Sequence, residues 1–214
     1  VSLIPAQMTS GDFYDIFQLP GNHLGVLIAD VVDKGVGAAL YMAMSIALLR
    51  AYALEHPEYP EQVCQAVNQR LLEYAGANHF VTVFYGVFDP VSGGMAYCNA
   101  GHPPPLLLSP SKAGEHNWLK NTGVPLGVIE DATWLQASTQ LAAGDTLILY
   151  TDGITEAENA DHQFFGLERL EETARGLTGE SARTVRDTLL ESVSQFTQGV
   201  TLADDIALIV IVRD

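Results

Sequence analysis

Basic residues are scarce in this chain. Its 214 residues carry 10 Lys and Arg against 26 Asp and Glu, a formal net charge of −16. Proteins that grip nucleic acid need clustered cations to neutralise phosphates, so that class is set aside. The same imbalance repels anionic membrane surfaces and favours solubility. Cysteine is nearly missing as well. Cys64 and Cys98 form no C-x-x-C pair, which leaves no zinc knuckle and no dithiol redox motif. Two buried free thiols in a reducing compartment are expected. No apolar run reaches bilayer length, because Arg50 interrupts the most apolar helical stretch, 38–54. Direct membrane insertion is therefore not expected. The opening "VSLIPAQMTS" has no basic n-region and no long apolar h-region, so no signal peptide is read. It also has no initiator Met, and a piece of a longer protein is expected, cytoplasmic, with any membrane tether lying in another domain.

What is present is a globular composition, 48% hydrophobic and 17% charged. That suffices for one sizeable core. Strand-like runs rich in Val, Ile, Leu and aromatics fall at 24–32, 80–88, 95–99, 106–109, 146–150 and 206–212. "DPVSGG" (89–94) reads as a hairpin loop slightly longer than the two-residue minimum. Helix-like runs fall at 37–56, 61–75, 167–177 and 181–195. The first is apolar nearly all round and is expected to be buried on more than one side. In the second, Val63, Val67, Leu71 and Tyr74 form an amphipathic stripe. In the last, Val185, Leu189, Val193 and Phe196 share a face, with Ser181 as the cap. Consecutive strands with helices segregated from them predict an α+β domain with antiparallel pairing. No internal linker is visible, so residues 1–214 are read as one domain.

Several strands end in carboxylates. "SGDFYD" holds Asp12 and Asp15, "LGVLIADVVDKG" runs into Asp30, and "LILYTDG" runs into Asp152. "VTLADDIALIVIV" places Asp204 and Asp205 immediately before a strand. An acid at the edge of a core is costly unless something compensates it. Lys or Arg would be the ordinary compensator, yet no basic residue precedes Lys34 and none lies between Arg186 and Arg213. The bland reading makes each Asp a turn former or a helix cap. The other reading takes the set together, as carboxylates converging on hard divalent cations, which prefer oxygen ligands.

Six stretches in one order carry a resemblance: "GDFYD", "IADVVDKGVGAALYM", "NAGHPPPLLL", "GVPLGV", "LILYTDGITEA" and "DDIALIVI". The chain resembles the PPM-type metal-dependent serine/threonine protein phosphatases. It is most similar to their bacterial sigma-factor-regulating branch, the sporulation and general-stress phosphatases. The resemblance spans essentially the whole chain. It implies a four-layer αββα sandwich of two antiparallel sheets flanked by helix pairs, and two Mn²⁺ or Mg²⁺ ions. It implies hydrolysis of phosphoserine or phosphothreonine by a two-metal-activated water, without a covalent enzyme intermediate.

Carried over position by position, the resemblance implies that Asp30 bridges both metals and that the Val31 backbone carbonyl serves one. Asp152 and Asp204 are implied as further ligands, with Asp205 as the alternative to Asp204. Asp12 would act directly or through bound water. Asp12, Asp30 and Asp152 are thus the implied catalytic acids. Lys34 is a candidate for holding substrate phosphate, against an ordinary solvated lysine. His102 is a candidate general acid or substrate contact, against a proline-stiffened loop with the ring turned outward. Gly11, Gly35 and Gly153 are expected to permit tight backbone turns around the metals. The family often has Gly at the position of Asp33, so that acid is a departure. As a branch member the chain implies a phosphorylated regulatory substrate resembling an anti-sigma-factor antagonist, and an upstream sensor domain in the full-length protein. A homodimer through the helical pair 37–75 is left open. The alternative function is a catalytically weak phosphoprotein-binding module.

Overall fold

The computed structural model describes residues 1–6, 10–33, 35–75, 79–112 and 116–214. Among the described residues, the strands and α-helices follow in chain order. They are β1 (Ser2–Ile4), β2 (Asp12–Gln18), β3 (Leu24–Val31), α1 (Val36–Glu55), α2 (Pro60–Ala75), β4 (Val81–Phe88), β5 (Gly94–Ala100), β6 (Leu106–Leu108), β7 (His116–Trp118), β8 (Ala137–Gln140), β9 (Thr146–Tyr150), α3 (Asp152–Thr155), α4 (Gly166–Arg175), α5 (Ala182–Thr197) and β10 (Ile206–Val212). Among the described residues each of the two sheets has five strands, and the named strands all pair antiparallel. The α+β class is as the sequence predicts.

The chain divides into two compact units. The inner unit comprises Thr9–His102 and Lys120–Gln140. Its sheet runs β2-β3-β4-β5-β8. β3 and β4 are buried at nearly every position, which is why they read as continuous apolar runs instead of alternation. The β4–β5 hairpin closes through Asp89, whose carboxylate accepts from the Val91 N–H at 2.9 Å and the Ser92 hydroxyl at 2.5 Å. Helices α1 and α2 supply Tyr41, Leu49, Ala53, Val63, Val67 and Leu71 to this unit's core.

Two expectations for these helices need correcting. α1 is not buried all round. Ala38, Tyr41, Ser45, Leu49 and Ala53 are buried, but Leu40 is 68% exposed. One line of the helix packs and the opposite line faces out, so the apolar count exceeds what the core uses. By length and composition α1 would also suffice to cross a bilayer, because a single Arg does not disqualify a 20-residue helix. On α2, Tyr74 closes the predicted stripe but is exposed, one turn past the last buried position, Leu71.

The terminal unit comprises Val1–Met8, Pro103–Leu119 and Leu141–Asp214. Its sheet runs β1-β10-β9-β6-β7. β9 is buried at all five positions. Against this sheet's core lie Leu170 and Ala174 of α4 and Val185, Leu189 and Val193 of α5, with Phe196 partly buried beside them. Ser181 caps α5, its side-chain oxygen accepting from the Thr184 N–H at 3.2 Å.

Ser181→Ala should lower unfolding stability by about 1 kcal/mol, the ordinary worth of an N-cap. Leu189→Ala, at a fully buried position, should cost about 2–5 kcal/mol. Urea denaturation of both variants checks this ordering.

Candidate functional site

In the inner unit, two of the sequence-predicted acids become neighbours. β2 and β3 pair so that Asp12 lies directly opposite Asp30. Directly opposite residues on antiparallel strands share a face, and like charges there repel. Asp12 is 2% exposed, so its carboxylate also carries a desolvation cost. The backbone is drawn tight around this pair. The Val31 N–H donates to the Gly11 carbonyl at 3.2 Å. A Cβ on Gly11 would stand 2.9 Å from the Val31 carbonyl oxygen and 3.4 Å from an Asp30 carboxylate oxygen. Glycine at position 11 therefore keeps the Asp30–Val31 stretch, including the predicted carbonyl donor, in place.

Asp15 does not belong with them. The Arg50 guanidinium of α1 grips its carboxylate through Nε and, at 2.8 Å, through Nη2. Sequence reading saw no cation near this acid because its partner lies 35 residues on. Asp33 is exposed, with φ +77°. That left-handed conformation favours glycine, which gives a physical reason for Gly at this place in the family and marks the Asp as strained. Lys34 lies outside the described residues.

In the terminal unit, Asp152 is the first residue of α3, directly after β9. The predicted strand-to-carboxylate turn is in fact the start of a four-residue helix. Thr151 ties it to β10, accepting from the Ala207 N–H at 2.8 Å. A Cβ on Gly153 would fall 1.9 Å from the Asp205 carbonyl oxygen. Only glycine lets α3 sit this close to the segment preceding β10.

Asp204 and Asp205 differ in their neighbours. Asp205 is buried, its carboxylate accepting from the Ala6 N–H at 2.7 Å. Its own N–H donates to the Asp204 carboxylate at 2.9 Å. Asp204 instead acts on Glu156, whose pKa is raised by burial and then by the negative charges of Asp152 and Asp204. Three acids therefore share one field. Glu156 was not singled out from sequence, though it stands one helical turn beyond Asp152.

His102 corrects an expectation. The loop "GHPPP" suggested a ring turned outward. The ring is 1% exposed, and its Nδ1 lies 2.9 Å from the Thr82 hydroxyl. The Asn99 side-chain carbonyl accepts from the His102 N–H at 2.8 Å and fixes the loop. Cys64 and Cys98 are both fully buried, as expected. The Cys98 sulfur beside it, together with burial, pushes the Cys64 thiol well up, away from any nucleophilic role.

Among the described residues, no group of three or more His, Cys, Asp and Glu converges closely enough to hold a metal by itself. The donors brought together are nonetheless all oxygens. A small hard cation such as Mg²⁺ needs only one or two carboxylates, since it keeps several waters. The Asp12–Asp30 pair and the raised Glu156 are negative fields of the kind such a cation relieves. The residues thus fit Mg²⁺ or Mn²⁺.

Comparison with known proteins points the same way. The family model for stage II sporulation protein E (SpoIIE) matches residues 20–214. Protein IcfG of Synechocystis sp. (strain ATCC 27184 / PCC 6803 / Kazusa) is 35% identical over 98% of this chain and 37% of its own length. The phosphoserine phosphatase RsbU of Bacillus subtilis (strain 168) is 32% identical over 98% of this chain and 61% of its own. The chain thus spans less than two thirds of either relative. The solved SiaA-PP2C domain of Pseudomonas aeruginosa superposes with TM-score 0.88 at 18% identity, covering 100% of this chain and 85% of that one. RsbX in complex with magnesium superposes with TM-score 0.67 at 18% identity, covering 95% of this chain and 87% of that one. At such identities these structures share the fold.

Gly153→Ala should destabilise the chain by about 1–3 kcal/mol, because backbone must shift to admit the methyl group. Thermal unfolding checks the loss. Mn²⁺ titration of the same variant should show weaker binding, since the Asp204–Asp205 backbone moves with it.

Proposed function

Because the chain belongs to the SpoIIE family, we propose that it is a metal-dependent phosphatase of phosphoserine and phosphothreonine in proteins. The observation that carries this reading is the register that sets Asp12 against Asp30. Two carboxylates sharing a sheet face are an unfavourable arrangement unless a cation relieves them. In the inner unit, Asp12, Asp30 and the Val31 carbonyl would hold divalent cations. In the terminal unit, Asp152 and Asp204 would do so. We take the number as two and the metal as Mn²⁺ or Mg²⁺. Asp205, bonded to the Ala6 N–H, is assigned to holding the backbone of this segment.

When bound, such cations supply Lewis acidity that activates a water towards phosphorus and offsets the charge on the phosphoryl oxygens. The chain's own residues prepare for that. Asp30 and Asp12 present a concentrated negative field at the ends of their strands. The Asp205 N–H holds one oxygen of Asp204, which limits how that carboxylate can turn. Glu156 adds a third carboxylate to the field of Asp152 and Asp204. Both thiols are buried, which is unfavourable for a thiolate nucleophile. Attack by water on the phosphoester is consistent with these groups.

The substrate we propose is a phosphorylated regulatory protein of the anti-sigma-factor-antagonist kind. RsbU, named a phosphoserine phosphatase, supports the phosphoserine part of that reading. An upstream sensor domain in the full-length protein is proposed alongside, since IcfG and RsbU are longer than the region they share with this chain.

A phosphoserine peptide and a generic aryl phosphate should both be hydrolysed in the presence of Mn²⁺. Excess chelator should abolish turnover, and added Mn²⁺ should restore it. Asp30→Asn and Asp152→Asn should each reduce kcat by at least about 100-fold, more than loss of an outer hydrogen bond to a ligand typically does. Undiminished hydrolysis in chelator would refute the metal mechanism.

A further inference from the structure

We propose that Asn68 of α2 is a positioning residue for the Val31 carbonyl. Asn68 clasps the loop 126–129, the loop braces the start of β4, and the Phe80 carbonyl there fixes the Val31–Val32 peptide in its ligating orientation. This rests on the reading above that the Val31 carbonyl serves a divalent cation.

The link nearest the site is a single hydrogen bond. The Val32 N–H donates to the Phe80 carbonyl at 3.1 Å. That N–H belongs to the same peptide unit as the Val31 carbonyl. A trans peptide is planar, so its N–H and C=O point opposite ways. With the N–H held on Phe80, the Val31 oxygen is turned away from Phe80. It lies on the Gly11 side, 2.9 Å from where a Cβ on Gly11 would stand. The direction of the Val31 carbonyl thus follows the placement of the Phe80 carbonyl.

Phe80 is held from both sides. Before it, the Tyr41 hydroxyl of α1 donates to the His79 carbonyl at 3.2 Å. After it, the Val81 N–H donates to the Leu126 carbonyl at 3.0 Å and the Leu126 N–H to the Val81 carbonyl at 2.9 Å. Leu126 lies in the "GVPLGV" stretch, and the residues that follow it run to Asn68. The Asn68 side-chain oxygen accepts from the Gly127 N–H at 2.8 Å, and its amide nitrogen donates to the Ile129 carbonyl at 3.0 Å. Gly127 has φ +88°. A Cβ there would stand 2.6 Å from the Tyr41 hydroxyl and 3.1 Å from the His79 carbonyl oxygen. The two loops therefore lie against each other, with no room for a side chain at position 127.

Asn68 is out of character with its place in the helix. It is 1% exposed, and the other fully buried residues of α2, Val63, Cys64, Val67 and Leu71, are apolar. Asparagine is a poor helix former, and a buried amide is costly unless its oxygen and nitrogen are both bonded. Here both are bonded, and both partners are backbone groups of one loop. An apolar residue at position 68 would take those partners from Gly127 and Ile129 and loosen the strip that braces Val81. Outer interactions that orient a metal ligand are worth about 10–100-fold in metal affinity. The lower end applies here, because Asn68 acts through intervening backbone.

The test uses the whole chain, with isothermal titration of Mn²⁺ alone and amide hydrogen exchange of the metal-free protein. Asn68→Leu removes both side-chain hydrogen bonds at similar volume. It should weaken Mn²⁺ binding about tenfold and speed exchange at the Val32 and Val81 amides before any metal is added. Turnover of an aryl phosphate should fall at limiting Mn²⁺ and largely recover at saturating Mn²⁺. Asn68→Asp is the milder variant. It keeps the acceptor for Gly127, loses the donor to Ile129, and should show an intermediate affinity, which decides the matter if the leucine variant does not fold. Leu71→Ala, at another buried position of α2, should lower global stability yet leave Mn²⁺ affinity unchanged wherever the chain is folded. Wild-type Mn²⁺ affinity and unchanged Val32 exchange in a folded Asn68 variant, or an equal loss of affinity in Leu71→Ala, would overturn the positioning role. Faster Val32 exchange with no loss of affinity would overturn the Val31 carbonyl as a ligand. Equal affinity in wild type and Asp30→Asn would instead overturn the metal centre on which the role rests.

Discussion

Asp12 and Asp30 face each other across β2 and β3, and the like charge they share on one sheet face is the constraint on which the proposed reading of the inner unit depends. Neither acid can be explained as a surface charge turned to solvent, because Asp12 is buried and Asp30 is partly so. On the reading proposed above, a divalent ion compensates both acids and still carries waters.

The terminal unit repeats the device with different local means. There the strand-end acid opens a short helix, and glycine admits a carbonyl that any larger residue would exclude. Asp205 fastens the segment before β10 to the N-terminal strand region, leaving Asp204 to join Asp152 and Glu156. In both units the tightest backbone approach falls beside the acids.

Much of this was legible in the sequence. β3, β4, β9 and β10 are buried at almost every position, so their apolar runs stand out. α5 reads cleanly because its stripe and its cap agree. β2 did not read as a strand, since "DFYDIFQ" mixes acids into an exposed half. β1 and β7 are three residues each, and β8 is polar and alternately exposed, too short or too hydrophilic for pattern to find. At the site, the individual acids were visible, but their pairing was not. The Asp12–Asp30 register, the Arg50 partner of Asp15 and the Thr82 partner of His102 all join residues far apart in the chain. Three prolines after His102 suggested an outward loop, whereas the His102 N–H donates to the Asn99 side chain and the ring lies inward against the Thr82 hydroxyl.

The most direct measurement is anomalous diffraction at the manganese edge from crystals of the chain grown with Mn²⁺. The account predicts anomalous peaks within coordination distance of the Asp12 and Asp30 carboxylates and of the Asp152 and Asp204 carboxylates, with Asp205 still bonded to the Ala6 N–H. Carboxylates that take no manganese and are each neutralised by a lysine or arginine would contradict it.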